Sequence, residues 1–363
     1  MQYIQSKIRL KDIAAALNIS TATVSLCLNE RQSRYQVNAD TVAKVRAFAA
    51  KVGYVPDRNA RNLKRGVRRC VGLLTNRHWR AGQKCLPAVF AAEQQLSSCG
   101  IECRQLSARN HLEGLSQLRE LGCSEVIVFE PVIEDPAVGS VSWQPDDLVQ
   151  RFPGLKIYSV DYSVNNQLPP PDKSGLIKRF GVKVWDFQQQ LVQIMQKYYP
   201  GEIMLHSWRC SQLLARELRQ RNPELIFEVD AENPFKIGIA GAQKYLRLRN
   251  KYNIRNVFWG DDRMACGFIN ELLKYGVSVP GEVNVISFDN LEFAQYLTIP
   301  LTTWGVPILR HTQAVVDSII NQSELPDTIS LPVLSPGGSA ALTPAMLDEL
   351  QKYCHISSEE DVI

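Results

Sequence analysis

LKDIAAALNISTATVSLCLN, residues Leu10 to Asn29, decides how the start of this chain is read. Ile13, Ala14 and Leu17 recur at helical spacing, and Val24 and Leu28 continue an apolar stripe beyond them. Between the two periods lie Asn18 and Ser20. Asparagine enters the left-handed backbone region more cheaply than most residues, so Asn18 suits a tight turn. Ser20 suits an N-cap, because its hydroxyl can accept from a backbone N–H that a helix start leaves unpaired. The pattern predicts helix, tight turn, helix. A third helix is expected after Asn38, with Val42, Val45, Ala49 and Val52 inward and Gly53 as its stop.

The polar residues of the second helix then need a use. In a helix-turn-helix the second helix lies in the major groove with its N-terminal residues against base edges. Ser20, Thr21, Ala22, Thr23, Ser25, Leu26 and Asn29 are the candidates here. Hydroxyls can bond bases or phosphates, and apolar tips can meet thymine methyls. A plain three-helix bundle is the alternative. Charge weighs against it: residues 1–70 hold 14 lysines and arginines against four acids, whereas the remaining residues hold 27 bases and 33 acids. A basic head on a mildly acidic body points to a polyanionic partner for the head.

YVPDRNARNLKRG, Tyr54 to Gly66, follows. Its single leucine stands among polar and basic residues that cannot sustain an isolated helix. An apolar wedge that unstacks a base step would give Leu63 a purpose. Together with the opening stretch, this segment resembles the DNA-binding head of the LacI/GalR family of bacterial transcription regulators. The resemblance implies a hinge helix that folds on operator DNA, with Ala60, Arg61, Leu63, Lys64 and Arg65 at DNA-contacting positions and Leu63 as the wedge. It also implies a homodimer on double-stranded operator DNA.

After Arg69 short apolar runs alternate with helical patterns: CVGLLT, IECRQL, EVIVFE and KIYSVD, then EIMLHS, LIFEVD, NVFWGD and NVISFD. Such alternation predicts an α/β body of parallel sheets with helices on both faces. Two doubly wound lobes, split near Tyr162, are expected, as in the periplasmic-binding-protein fold. Ligands of such sheets sit beyond the carboxyl ends of the strands. Several runs end in an acid (Glu130, Asp161, Asp230, Asp261 with Asp262, Asp289), and Trp259 is beside one of them. Carboxylates accept sugar hydroxyls and ring faces cover C–H surface, so a saccharide is the expected effector. Each acid taken alone fits a helix cap or a solvated loop equally well. Phe258 to Asn290 and PLTTWGVPILRHTQAVVDSI resemble the family's effector domain, which implies effector contacts at Asp289, Asp261 and Asp161, with Asn76 and Phe235 as further positions. The resemblance leaves the sugar-contacting arginine to Arg216, to Arg219 or to neither. Gly337 stands where the family commonly has an arginine.

The expected organisation is a helix-turn-helix domain at 1–57, a hinge helix at 58–66, a two-lobed effector-binding and dimerisation domain at 67–343, and a C-terminal helix and tail at 344–363. Thr343 is the expected cap of that last helix, which is too short for a self-sufficient coiled coil. No apolar run approaches the roughly 18 residues that span a bilayer. MQYIQSKIRL lacks the apolar stretch of an export signal, and the nine cysteines show no CxxC or zinc spacing. A cytoplasmic protein with no membrane partner, metal or cofactor is expected. A sugar-active enzyme and a solute-binding protein are the competing functions. No GxSxG, GxGxxG, P-loop or HExxH supports the first, and no export signal supports the second. The sequence is therefore read as a ligand-controlled DNA-binding regulator, a repressor, without catalytic residues.

Overall fold

The computed structural model describes residues 10–28, 37–52, 69–76, 79–108, 110–129, 145–163, 174–206, 212–228 and 233–357. The chain forms two compact units, residues 1–68 and 69–363. That boundary falls two residues beyond the expected 66/67 edge, and the hinge expected at 58–66 lies outside the described residues.

Among its described residues the first unit forms the helices α1 (Leu10–Leu17), α2 (Thr21–Leu28) and α3 (Ala39–Lys51). Asn18 has φ 50°, and the Asn18 and Ile19 amides donate to the Ala15 and Ala14 carbonyls. This paired closure satisfies carbonyls that the end of α1 would otherwise leave open. Ser20 Oγ accepts from the Thr23 amide at 3.0 Å and starts α2. Asn38 Oδ1 accepts from the Asp40 amide at 2.9 Å before α3. Ile13, Ala14, Val24, Cys27, Val45 and Ala49 form the core, with Leu17, Leu28, Val42 and Phe48 partly buried around it. Arg46 Nε donates to the Cys27 carbonyl at 3.2 Å, tying α3 to the end of α2.

The second unit runs β1 (Cys70–Asn76), α4 (Trp79–Ser98), β2 (Glu102–Ala108), α5 (His111–Glu120), β3 (Glu125–Phe129), α6 (Pro145–Arg151), β4 (Lys156–Ser163) and β5 (Ile177–Val182). It continues with α7 (Val184–Tyr198), β6 (Glu202–His206), α8 (Gln212–Arg221), β7 (Ile226–Phe227), α9 (Pro234–Tyr252), β8 (Ile254–Phe258), α10 (Asp262–Lys274), β9 (Asn284–Phe288) and β10 (Thr302–Gly305). Then come α11 (Ile308–Asn321), β11 (Thr328–Ser330), β12 (Val333–Ser335), α12 (Pro344–Leu350) and β13 (His355–Ile356). One sheet has the order β11-β5-β4-β3-β1-β2 and the other β13-β12-β10-β9-β8-β6-β7. Apart from the antiparallel pair β10–β12, the strand pairs are parallel. EVIVF (β3) and NVISF (β9) are buried at every position, as strands covered on both faces must be.

Three features correct the expected layout. The lobes do not part near Tyr162: β4 runs on to Ser163, and β5 still belongs to the first sheet, so the chain changes lobe between Val182 and Val184. β5 escaped detection because Lys178 and Arg179 break its apolar run. The chain also returns, since α11 packs on α4 through Val315, Val316 and Ile319 and β11 pairs with β5. Finally, the C-terminal segment is part of the second lobe. Met346, Leu350 and Cys354 enter its core, and β13 extends its sheet.

Candidate nucleic-acid interface and effector site

On α2 the alternation of burial is sharp. Val24 and Cys27 are in the core, while Thr21 and Ala22 are exposed and Leu26 remains 37% accessible. The N-terminal turn of α2 therefore presents two short side chains and a leucine away from the core, with Ser20 and Thr23 joined Oγ to Oγ1 at 2.8 Å beside them. The Ser25 side chain, and Asn29, Ala60, Arg61, Leu63, Lys64 and Arg65 altogether, lie outside the described residues.

In the body, two of the implied effector residues come together through strand register. β8 and β9 are adjacent and parallel, with Phe258 opposite Ile286. Asp261 follows the end of β8, and Asp289 follows the end of β9, so both reach the carboxyl edge of the same sheet, where such folds bind ligands. Asp261 is the N-cap of α10 and is fully buried. Its Oδ1 accepts from the Arg263 amide at 2.8 Å and from Arg263 Nε at 2.9 Å, and its Oδ2 accepts from Arg263 Nη2. Asp261 is thus saturated by a side-on guanidinium fork two residues away. Asp262 is also fully buried, and burial pushes its carboxyl up to about 7, against the lowering effect of hydrogen bonds from Ser287, Thr303 and the Leu291 amide. Asp289 is 9% accessible. Arg263 lies in the field of all three carboxylates, and their attraction raises its pKa although burial works the other way. The cluster therefore holds three acids around one cation.

The remaining sequence candidates are distributed unevenly. Phe235 is exposed on the first turn of α9. α9 lies close against α10: a Cβ on Gly238 would stand 1.9 Å from the Met264 carbonyl oxygen, and one on Gly267 2.2 Å from that of Phe235. These two glycines bring Phe235 to the helix whose N-terminus carries Asp261. Trp259 does not offer a ring face at the surface. It is 2% accessible, stacked on His206 at 5.6 Å and packed on Phe227 and Phe268. A Cβ at Gly241 would lie 2.3 Å from its Cη2, so glycine there makes room for the indole in the core. The reading of Trp259 as a ligand platform gives way to a packing role. Arg219 is exposed and pairs with Glu228, and the Arg216 side chain lies outside the described residues. So do the side chains of Asn76 and Asp161. Arg263 and the hydroxyls of Ser287 and Thr303 were missed, although Arg263 adjoins two quoted acids. An acid-acid-arginine run at a strand end was the available signal.

Among the described residues no group of histidines, cysteines and acids could hold a metal ion, and no helix is long and apolar enough to cross a membrane. Residues 9–57 match the model for bacterial regulatory proteins of the lacI family, and residues 210–339 match that for a periplasmic binding protein-like domain. The ribose operon repressor of Escherichia coli (strain K12) is 25% identical, over 91% of this chain and 99% of its own length. Among solved structures, the lac repressor dimer bound to operator and an anti-inducer superposes with a TM-score of 0.66 at 18% identity, covering 93% of this chain and 100% of that one. A LacI family transcriptional regulator from Enterococcus faecium with bound ribose gives 0.52 at 15% identity, covering 76% and 100%. These structural likenesses establish the shared fold.

Proposed function

From the premise that the chain belongs to the lacI family of bacterial regulatory proteins, we propose that it is a dimeric repressor whose grip on operator DNA is controlled by a neutral sugar bound at the carboxyl edge of the body's sheets. The observation that carries the reading is the pairing of two features in one chain. The capped, exposed first turn of α2 sits in a basic head, and buried carboxylates cluster at the ends of β8 and β9. In the head, Thr21 and Ala22 set base preference, the arginines and lysines bind phosphates, and Leu63 wedges a base step. In the body, Asp289 is the acceptor for ligand hydroxyls, because it is the accessible carboxylate of the cluster while Asp261 is fully buried beneath Arg263. Asn76, Asp161 and Phe235 complete the proposed ligand set. Because one arginine faces three carboxylates, the site favours an uncharged ligand over a phosphorylated one.

The dimer is supported by large apolar side chains left exposed on the body, among them Phe90 on α4, Tyr275 after α10 and Tyr296. A chain that works on operator DNA must be where that DNA is, and the cytoplasm is its proposed location. The relatives are repressors, and no residue is assigned a catalytic role. The experiment selects an operator from random duplexes with the purified chain, then measures binding to it while a panel of pentoses and hexoses is added. Specific binding that one sugar alters by tenfold or more is expected, a change on the scale of ordinary linkage between sites. Turnover of the sugar, or failure to select any sequence, would overturn the proposal.

A further inference from the structure

We propose that Asp262 is the positioning residue of the effector site: it holds the Asp289–Asn290 turn in the one backbone shape that presents the Asp289 carboxylate. Taking Asp289 as a ligand contact rests on the proposed function above. The geometry of the turn does not.

Asp289 and Asn290 have φ 115° and 52°, two successive non-glycine residues in the left-handed region. Such residues persist only where the surroundings over-determine them. Here the surroundings converge on one carboxylate. Asp262 Oδ2 accepts from the Leu291 amide at 2.6 Å, immediately after the turn. Its Oδ1 accepts from Ser287 Oγ at 2.5 Å, just before the turn, and from Thr303 Oγ1 at 2.5 Å. Thr303 Oγ1 in turn accepts from the Asn290 amide at 3.2 Å, within the turn. The Asp289 amide donates to the Trp304 carbonyl at 2.9 Å. Gly305 completes the seat, because a Cβ there would lie 2.8 Å from Asn290 Cβ and 2.9 Å from the Asp289 oxygen.

An acid in a helix's first turn ordinarily serves its own helix. Asp262 does not, because Asp261 already caps α10 and accepts the Arg263 amide. All three bonds to Asp262 come instead from β9, β10 and the segment after the turn. A fully buried carboxylate is costly unless donors meet it, and the donors that meet this one all belong to groups that frame Asp289 and Asn290. Two oxygens meeting three donors is also a demand that an amide side chain cannot meet, since asparagine brings one acceptor oxygen and a competing NH2 group.

The test uses the full chain and three variants, Asp262→Asn, Thr303→Val and Thr303→Ser, with Asp289→Asn as a control. Backbone hydrogen exchange is followed in peptides covering 286–292, and binding of D-ribose is measured by calorimetry. Asp262→Asn and Thr303→Val should speed exchange at 290 and 291 by roughly tenfold or more, as loss of a buried bond implies. Thr303→Ser keeps the hydroxyl and should restore slow exchange. β8, α10 and operator binding should keep their protection and affinity. Unchanged exchange at 290 and 291, or faster exchange spread over all of 254–305, would overturn the proposal. If the turn loosens in Asp262→Asn yet D-ribose binding is the same in wild type, Asp289→Asn and Asp262→Asn, positioning of the turn stands. Asp289 as a ligand contact would then fall.

Discussion

Asp261 and Asp289 end neighbouring strands of one sheet, but their surroundings give them different work. Asp261 has both oxygens filled by Arg263, whereas Asp289 is the more accessible carboxylate of the cluster. Asp289→Asn keeps the shape, removes the charge and turns one acceptor into a donor. Ligand affinity should fall roughly tenfold or more, as loss of charge-assisted bonds implies. Operator affinity without ligand should stay at the wild-type value, and calorimetry beside operator titration reads both. Asp262 makes a second prediction, on stability. Its folded pKa of about 7 lies above the ordinary 3.8 because of burial. A carboxyl raised in this way contributes stability that is full below about pH 4 and is lost as pH rises through 7. Asp262→Asn lacks that titration, so its unfolding free energy relative to wild type should improve by a few kcal/mol between pH 4 and 8. Denaturant unfolding across that range measures it. A relative stability that stays flat would mean that the three hydrogen bonds outweigh burial.

The elements that carry these residues differ in how plainly their sequences announce them. Asn18, Ser20 and Asn38 punctuate the head with local chemistry, and each does in the structure what its side chain predicts. The runs EVIVF and NVISF are legible as central strands because they are short and mostly apolar, and burial on both faces takes in even their polar members Glu125, Asn284 and Ser287. β5 and β11 are illegible for the opposite reason: they are short or charged, and long-range pairing alone makes them strands. The 19-residue α9 is hard to read locally, since its glycines answer to α10 and Trp259, neighbours outside the helix itself. Asp261 and Asp289 are singled out by the resemblance together with their place after legible strands, whereas the bonds of Asp262 to Ser287 and Thr303 depend on pairing across β9 and β10. β11 offers a prediction at this scale. Arg179 on β5 is 2% accessible, its amide and Nη2 donate to the two oxygens of Asp327, and Nε and Nη1 have no hydrogen-bond partner among the described residues. Asp327→Ala would strand that buried charge and unpin the returning strand, at a cost of about 3–5 kcal/mol. Thermal unfolding should show it, and Arg179→Met combined with Asp327→Ala should recover much of the loss.

At the scale of the whole molecule, charge and chemistry are segregated between two units. The head, residues 1–68, carries nearly all of the basic excess found in residues 1–70, while the rest of the chain is mildly acidic. Binding to a polyanion releases condensed counterions in proportion to the phosphates neutralised, so operator affinity must fall steeply with salt. In the proposed dimer, two heads on a pseudo-palindrome would make six or more phosphate contacts reachable, and contacts in that number weaken binding by roughly a thousandfold or more between 50 and 200 mM salt. The slope belongs to the head and the response to sugar belongs to the body. Asp289→Asn should therefore leave the logarithmic salt slope unchanged while moving the shift that sugar produces to roughly tenfold or more higher sugar concentration. Leu63→Ala should do the reverse on DNA: a wedge acts only where a base step yields, so affinity for the selected operator should drop further than affinity for random duplex, with the random-duplex salt slope preserved. Titrations of wild type and both variants at four salt concentrations, with and without sugar, separate the two units. A flat salt response in wild type would remove the basic head from DNA binding altogether, and equal losses on both duplexes would remove Leu63 as the wedge.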